Sequence, residues 1–379
     1  MTPPAVADVL AMAADQVLTA TRIIWPDAIV VPGPVVPSVT SYVQQLHVDG
    51  RPLYAKLSVC GTSLVSVTSG ACGDFAKVRA RQAAYLASPG SLMAREAQQL
   101  RALSGPAQLT AAPIAGYARG VLLTAPVTGP TLADLIETEP GRTRELLALV
   151  VGDVTEGLAR DGVGDVVEHA AIRERGIADT FSRKFNGPSG PVYLRRTGHG
   201  QALAAAADRL RRARRIPPGM PGRAVIFGDL KPEHAVFFDN RPVYLDPGLM
   251  RGHAVADTAK LASRIILGLI ARRPAGAGVV LNGIDSYARA AAARLPAGQR
   301  SGWLRELVAL ALMDTLNILS TYLTAPADLP LSAHAAGVRD RARHVADLLD
   351  RATAPLAATD DGAIWWRLYL TRAREAVAA

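Results

Sequence analysis

The chain has 379 residues, 49% apolar and 20% charged, which is enough apolar content to bury one large core or two lobes and too much for disorder. Forty-two Lys and Arg against 33 Asp and Glu give a net charge of +9, which favours acidic or phosphate-bearing ligands. Aromatic residues are only 5% and are not interleaved with the basic bursts at 173–183 and 211–215, which argues against nucleic acid, while Cys60 and Cys72 can form neither a disulfide framework nor a zinc site.

The opening residues lack a basic segment, and Asp8 and Asp15 interrupt their apolar run, so no signal peptide is expected. Residues 5–19 carry helical spacing (Val6, Val9, Leu10, Val17). The β-branched pairs at Ile23-Ile24 and Ile29-Val30-Val31 then predict strand. Residues 42–48 and 53–59 flank Asp49-Gly50, the pattern of a tight hairpin whose turn needs positive φ. A Ser- and Gly-rich stretch at 60–90 holds one helical piece at 75–86. A helix at 91–103 and strands at 114–117 and 121–124 follow, and Thr131 to Asp134 reads as a capping box opening the next helix.

Beyond that point the chain is mainly helical, with the clearest stretches at 144–159, 201–214, 255–272, 304–323 and 338–349. The apolar run at 304–323 contains Arg305, Glu306 and Asp314, so it is not expected to span a membrane. Strands interrupt the helices at 224–227, 235–238 and 243–246. The predicted fold class is α+β and bilobal, with a small β-rich N-lobe at 1–125 and a large helical C-lobe at 126–379. A cytoplasmic protein, monomer or homodimer, is the accompanying expectation.

Between those strands lies Gly228-Asp229-Leu230-Lys231-Pro232-Glu233-His234, and Asp246-Pro247-Gly248 follows the third. Two carboxylates at the ends of adjacent strands, with a lysine beside them, suit a reaction that holds divalent cations and orients a hydroxyl. This run, with Lys56 on the second hairpin strand, Glu96 in Met93-Ala94-Arg95-Glu96-Ala97, the hinge-like segment 122–132 and Asp257, resembles the aminoglycoside phosphotransferase family, which shares its fold with protein and choline kinases. The resemblance spans residues 35–270.

The resemblance implies a protein-kinase-like fold and an O-phosphotransferase that moves the γ-phosphate of ATP or GTP to a hydroxyl of a small molecule. It implies Asp229 as the group that orients or deprotonates that hydroxyl and Lys231 as a lysine near the γ-phosphate. Asp246 is implied as the ligand of Mg²⁺, Lys56 as the partner of the α- and β-phosphates, and Glu96 as the carboxylate that holds Lys56 extended. Only five lysines occur in the chain, and two of them stand at these phosphate positions. Asp257 is assigned a bracing role. The turn at Ser38, Thr40 and Ser41 replaces a glycine-rich phosphate loop, and backbone groups at Ala125 and Val127 are expected to read the base.

His234 is the main departure, standing where the family pattern has a metal-binding asparagine. An imidazole suits Mn²⁺ better than Mg²⁺. Three outcomes stay open: a histidine metal ligand, a water in that place, or a catalytically silent nucleotide-binding module. Acceptor specificity is expected after residue 275. There Asp314, Asn317 and Thr321 share one helix face, either as pocket lining or as a solvated surface, and Asp360-Asp361 with Trp365-Trp366 forms a second candidate patch. An antibiotic, sugar, cyclitol or nucleoside all remain acceptors at this level.

Overall fold

The computed structural model describes residues 2–88, 90–170, 173–186, 189–195, 197–213 and 224–379. Helix α1 (Val6–Ile24) lays Val6, Val9, Ala13, Val17 and Ala20 against an antiparallel sheet of β1 (Val30–Val36), β2 (Tyr42–Val48), β3 (Arg51–Leu57), β4 (Ile114–Ala118) and β5 (Val121–Thr124). The strand order is β1-β2-β3-β5-β4. Asp49 (φ 48°) and Gly50 (φ 77°) close the β2–β3 hairpin in the left-handed region, as the tight turn requires. The expected strand at Ile23-Ile24 is instead the last turn of α1. Packing of the helix along the sheet outweighs the local preference of two β-branched residues.

Between β3 and β4 run α2 (Leu64–Thr68), α3 (Phe75–Ala87) and α4 (Leu92–Ser104), each opened by a side chain that caps it, namely Ser63, Asp74 and Ser91. The alternation of a strand then divides the molecule. Leu53, Ala55 and Leu57 on β3 and Val121 and Leu123 on β5 belong to the small core, whereas Leu122 joins the large one. Lys56 is paired with Leu122 across the β3–β5 ladder and so faces the large lobe.

The large lobe begins with α5 (Leu132–Thr138), where the capping box of Thr131 and Asp134 is formed as predicted. It continues through α6 (Thr143–Leu158), α7 (Val163–Glu168), α8 (Ile177–Phe185), α9 (Ser189–Arg195) and α10 (Gly200–Ala213). Strands β6 (Ala224–Ile226), β7 (Ala235–Phe238), β8 (Arg241–Tyr244) and β9 (Met250–Gly252) follow, then α11 (Val255–Arg272), α12 (Ala277–Ala293), α13 (Ala297–Thr324), α14 (Ala333–Asp340), α15 (Ala342–Thr353) and α16 (Gly362–Ala378). The expected helix at 338–349 is two, split where Arg341 leaves helical geometry (φ −98°, ψ 16°). Arg214 and Arg215 of the second basic burst lie outside the described residues.

Helix α13 is the spine of this lobe. By length and composition alone it could cross a membrane, yet 78% of its most apolar window is buried inside the fold. Asp314 and Asn317, 3% and 5% exposed, are therefore not on a solvated face. The Asp360–Trp366 patch is structural: Asp361 caps α16, Asp360 pairs with Arg305, and both tryptophans are 1% exposed.

Candidate active site

The chain from β6 into Asp229 is shaped by two constraints. Gly228 has φ 77°, and a Cβ there would stand 2.2 Å from the carbonyl oxygen of Gly248, so only glycine fits. Asp257, in the first turn of α11, accepts the backbone N–H groups of Phe227 (2.8 Å) and Gly228 (2.7 Å). Burial nonetheless pushes its carboxyl up to about 6. The bracing expected of Asp257 is thus met by direct contact.

The β7–β8 hairpin, turned by Asp239 (φ 47°) and Asn240 (φ 61°), delivers the second carboxylate. Leu245 N–H donates to the His234 carbonyl and Gly248 N–H to that of Phe227, which ties the two acidic segments side by side. Asp246 sits between them at φ 49°, a left-handed conformation that costs a non-glycine residue about 1–3 kcal/mol and is typical of functional positions.

Across the cleft, Lys56 Nζ lies 2.9 Å from Glu96 on α4 and 2.5 Å from Asp246. Burial alone would lower the lysine, but the carboxylates of Asp246 and Glu96 outweigh it and hold the ammonium charged. Burial would likewise raise Asp246; Lys56 and His234 hold it below the ordinary carboxylate range. Glu96 is pushed up by burial, with Lys56 working against the shift. Asp229 is met by Lys231 at 2.7 Å and Lys260 at 2.6 Å, and these outweigh burial to keep it ionised well below its usual range. A sequence reading misses Lys260: only its position one turn beyond Asp257 on α11 signals it.

His234 is buried, and burial together with the Lys231 ammonium lowers it to about 4, so the imidazole is neutral at pH 7. Its Nδ1 lies 3.0 Å from the Asp229 carbonyl, which assigns the proton to Nδ1 and leaves the Nε2 lone pair 3.6 Å from Asp246 Oδ2. These two donors fit a divalent cation that takes its other ligands from phosphate and water. No group of three or more His, Cys, Asp or Glu side chains that could hold a metal alone is gathered among the described residues.

Lys56, Glu96, Asp229, Lys231, Asp246 and Lys260 line one cavity of about 920 Å³, whereas His234 and Asp257 stand behind its wall. Four of the five lysines in the chain, Lys56, Lys184, Lys231 and Lys260, are on its wall. Thr40 and Ser41 line it too, held by α2 through Leu64 N–H to the Thr40 carbonyl. The N–H groups of Thr40 and Ser41 are already taken by Ser38 Oγ, both at 3.3 Å, so the turn presents hydroxyls more than free amides. Ala125 N–H donates to Pro113 O at 2.9 Å, Val127 packs on the large core, and neither lines the cavity. The Ser- and Gly-rich 60–90 stretch, to which no site role was given, supplies wall hydroxyls from Thr62, Ser63, Ser66 and Ser69.

Asp314, Asn317 and Thr321 line the cavity from α13. Asp314 is clamped by Arg264 (2.7 Å) and Ser263 (2.7 Å) and stands 4.0 Å from Lys260, so a continuous ionic chain links it to Asp229.

No protein-family model and no curated protein sequence matches the chain. Solved structures similar to it include amicoumacin kinase hAmiN in complex with AMP-PNP, Ca²⁺ and Ami, at 12% identity and a TM-score of 0.48, covering 83% of this chain and 87% of that one. A choline/ethanolamine kinase family protein from Mesorhizobium loti is similar at 15% identity and a TM-score of 0.46, covering 90% and 93%. A thermostable mutant of the aminoglycoside phosphotransferase APH(4)-Ia, with ADP and hygromycin B, is similar at 14% and 0.45, covering 86% and 96%.

Proposed function

We propose that the protein is a nucleoside-triphosphate-dependent O-phosphotransferase of the aminoglycoside phosphotransferase type, acting on a hydroxylated small molecule. The observation that carries this reading is Lys56, which reaches Glu96 and Asp246 at once across the cleft. One ammonium shared by two carboxylates from opposite walls is arranged to re-partner with an incoming triphosphate.

In this reading residues 1–125 hold the nucleotide and residues 126–379 hold the acceptor. Lys56 neutralises the inner phosphates, while Asp246 and His234 Nε2 hold the divalent cation. A bound Mg²⁺ or Mn²⁺ supplies charge neutralisation at the phosphates. Asp229 aims the hydroxyl oxygen at the γ-phosphorus. The new P–O bond forms as the bond to the β,γ-bridging oxygen breaks, ADP leaves with that electron pair, and the hydroxyl proton passes by way of Asp229 to solvent. A loose transition state asks little basicity of the aspartate, so a carboxylate pinned by Lys231 and Lys260 serves by position and charge.

The test is ATP and GTP consumption across a panel of hydroxylated metabolites. Acceptor-dependent turnover that falls ~10²–10⁴-fold in Asp229→Asn supports the reading. Nucleotide binding without turnover, unchanged in Asp229→Ala, identifies a catalytically silent module instead.

A further inference from the structure

The cavity wall is unequal in charge: eight cationic side chains line it against five acidic ones. Every acidic group is matched, Glu96 and Asp246 by Lys56, Asp229 by Lys231 and Lys260, Asp314 by Arg264, and Glu174 by Arg95 at 2.5 Å. Three cations remain without an ion-pair partner among the described residues: Arg175, Arg183 and Lys184. Asp179, one turn before Arg183 on α8, makes no ion pair with it and is not on the wall.

Arg183 and Lys184 are on α8, and Arg175 precedes that helix beside Glu174, which pairs with Arg95 on α4. Lys184 is held over α13, its Nζ donating to Asn317 O (2.6 Å), Ser320 Oγ (3.1 Å) and Thr321 Oγ1 (2.7 Å), all neutral oxygens. At 1.5 Å rise per residue, those partners sit about 5–10 Å along the helix from Asp314, which adjoins the Asp229 cluster. Burial lowers Lys184 to about 7, a consequence of an ammonium with no carboxylate touching it. Arg183 is lowered by burial and by the neighbouring Arg175 guanidinium, so the two like charges are close.

A second, independent feature sits beside them. Asn317 is 5% exposed and its Nδ2 donates to the Ile177 carbonyl at 3.2 Å, but its Oδ1 is buried without a partner. An orphaned buried carbonyl oxygen costs about 1–3 kcal/mol unless something donates to it. Thr321 and Thr324 add hydroxyls on the same wall. The wall beside α8 and α13 thus offers positive charge for an anion next to a polar stretch of α13.

We propose that the cavity wall beside α8 and α13 binds an acceptor that is both hydroxylated and anionic, bearing a carboxylate or phosphate that Arg175 and Arg183 engage, with its hydroxyls against the polar stretch of Asn317, Thr321 and Thr324. A polycationic acceptor is excluded by the same charges. Lys184 has spent its three donors, so it contributes field rather than contact. The inference rests on the phosphotransferase reading only for the fate of the bound molecule.

The experiment is titration calorimetry with glucose, glucosamine, gluconate and glucose 6-phosphate, on the protein with and without Mg²⁺ and AMP-PNP. Gluconate or glucose 6-phosphate is expected to bind at least tenfold more tightly than glucose and glucosamine, and the two anions separate carboxylate from phosphate recognition. Arg183→Ser and Lys184→Met are each expected to weaken that binding by about tenfold. Arg183 is exposed, so its variant stays informative if the Lys184 variant does not fold. Preference for glucosamine, equal affinities, no saturable anion binding, or wild-type affinity in Arg183→Ser would overturn the inference. AMP-PNP bound with no charge preference among the four overturns this inference alone. Anion preference without AMP-PNP binding overturns the phosphotransferase reading alone.

Discussion

The two ends of the cavity are built on opposite electrostatic plans. At the end near Lys56 each carboxylate has a lysine within 2.9 Å, and the charges cancel within the protein. Beside α13, Lys184 faces only neutral oxygens, and Arg175 and Arg183 make no ion pair among the described residues. Where charges are already paired, a ligand must exchange partners, so it has to bring both signs, as a metal–triphosphate does. Where cations stand alone, a ligand need bring only negative charge.

The hardest test of this contrast is at the junction. Arg264 and Asp314 are 7% and 4% exposed at the side chain and join the two ends. Arg264→Met strips the buried Asp314 carboxylate of its closest cation, leaving Ser263 and the more distant Lys260, and is expected to cost about 3 kcal/mol in denaturant unfolding. Arg264→Met with Asp314→Leu should recover most of that loss. Equal stability of the single variant and wild type would show that the junction carries no load.

A sharper probe of the paired end is His234. With its Nε2 facing Asp246, His234→Asn is expected to shift the ratio of Mn²⁺- to Mg²⁺-supported activity several-fold toward Mg²⁺. Identical metal and pH profiles in the two proteins would remove the imidazole from the metal site.

The unpaired end has a pH signature of its own. Lys184 falls from 10.5 to about 7 on folding, under burial, with Asp314 on α13 opposing and Arg264 on α11 and Arg183 on α8 adding to the shift. Between pH 7 and 10.5 the unfolded chain therefore binds more protons, so stability rises with pH across that window and is lost as pH falls toward 7. Melting temperature should climb between pH 7 and 9, and Lys184→Met should flatten that climb.

The same contrast explains what was legible in the sequence. The paired end is made of short-range signals: Asp49-Gly50 fixes the hairpin that carries Lys56, and Gly228-Asp229 and Asp246-Pro247-Gly248 are turn chemistry read directly from residue type. The unpaired end is assembled from α8 and α13, more than a hundred residues apart, and nothing local distinguishes Arg183 or Lys184 from ordinary surface charge. Asp314 and Asn317 had helical spacing but no signal of burial, because α13 is apolar on nearly every side.

The central claim is that Lys56 and Asp246 close on one triphosphate tail from opposite walls. Calorimetric titration of AMP-PNP in the presence and absence of Mg²⁺ tests it most directly. Saturable, Mg²⁺-dependent binding is predicted for the wild type, weakened at least tenfold in both Lys56→Met and Asp246→Asn. Equal AMP-PNP affinity in all three proteins, or none in the wild type, would contradict the account.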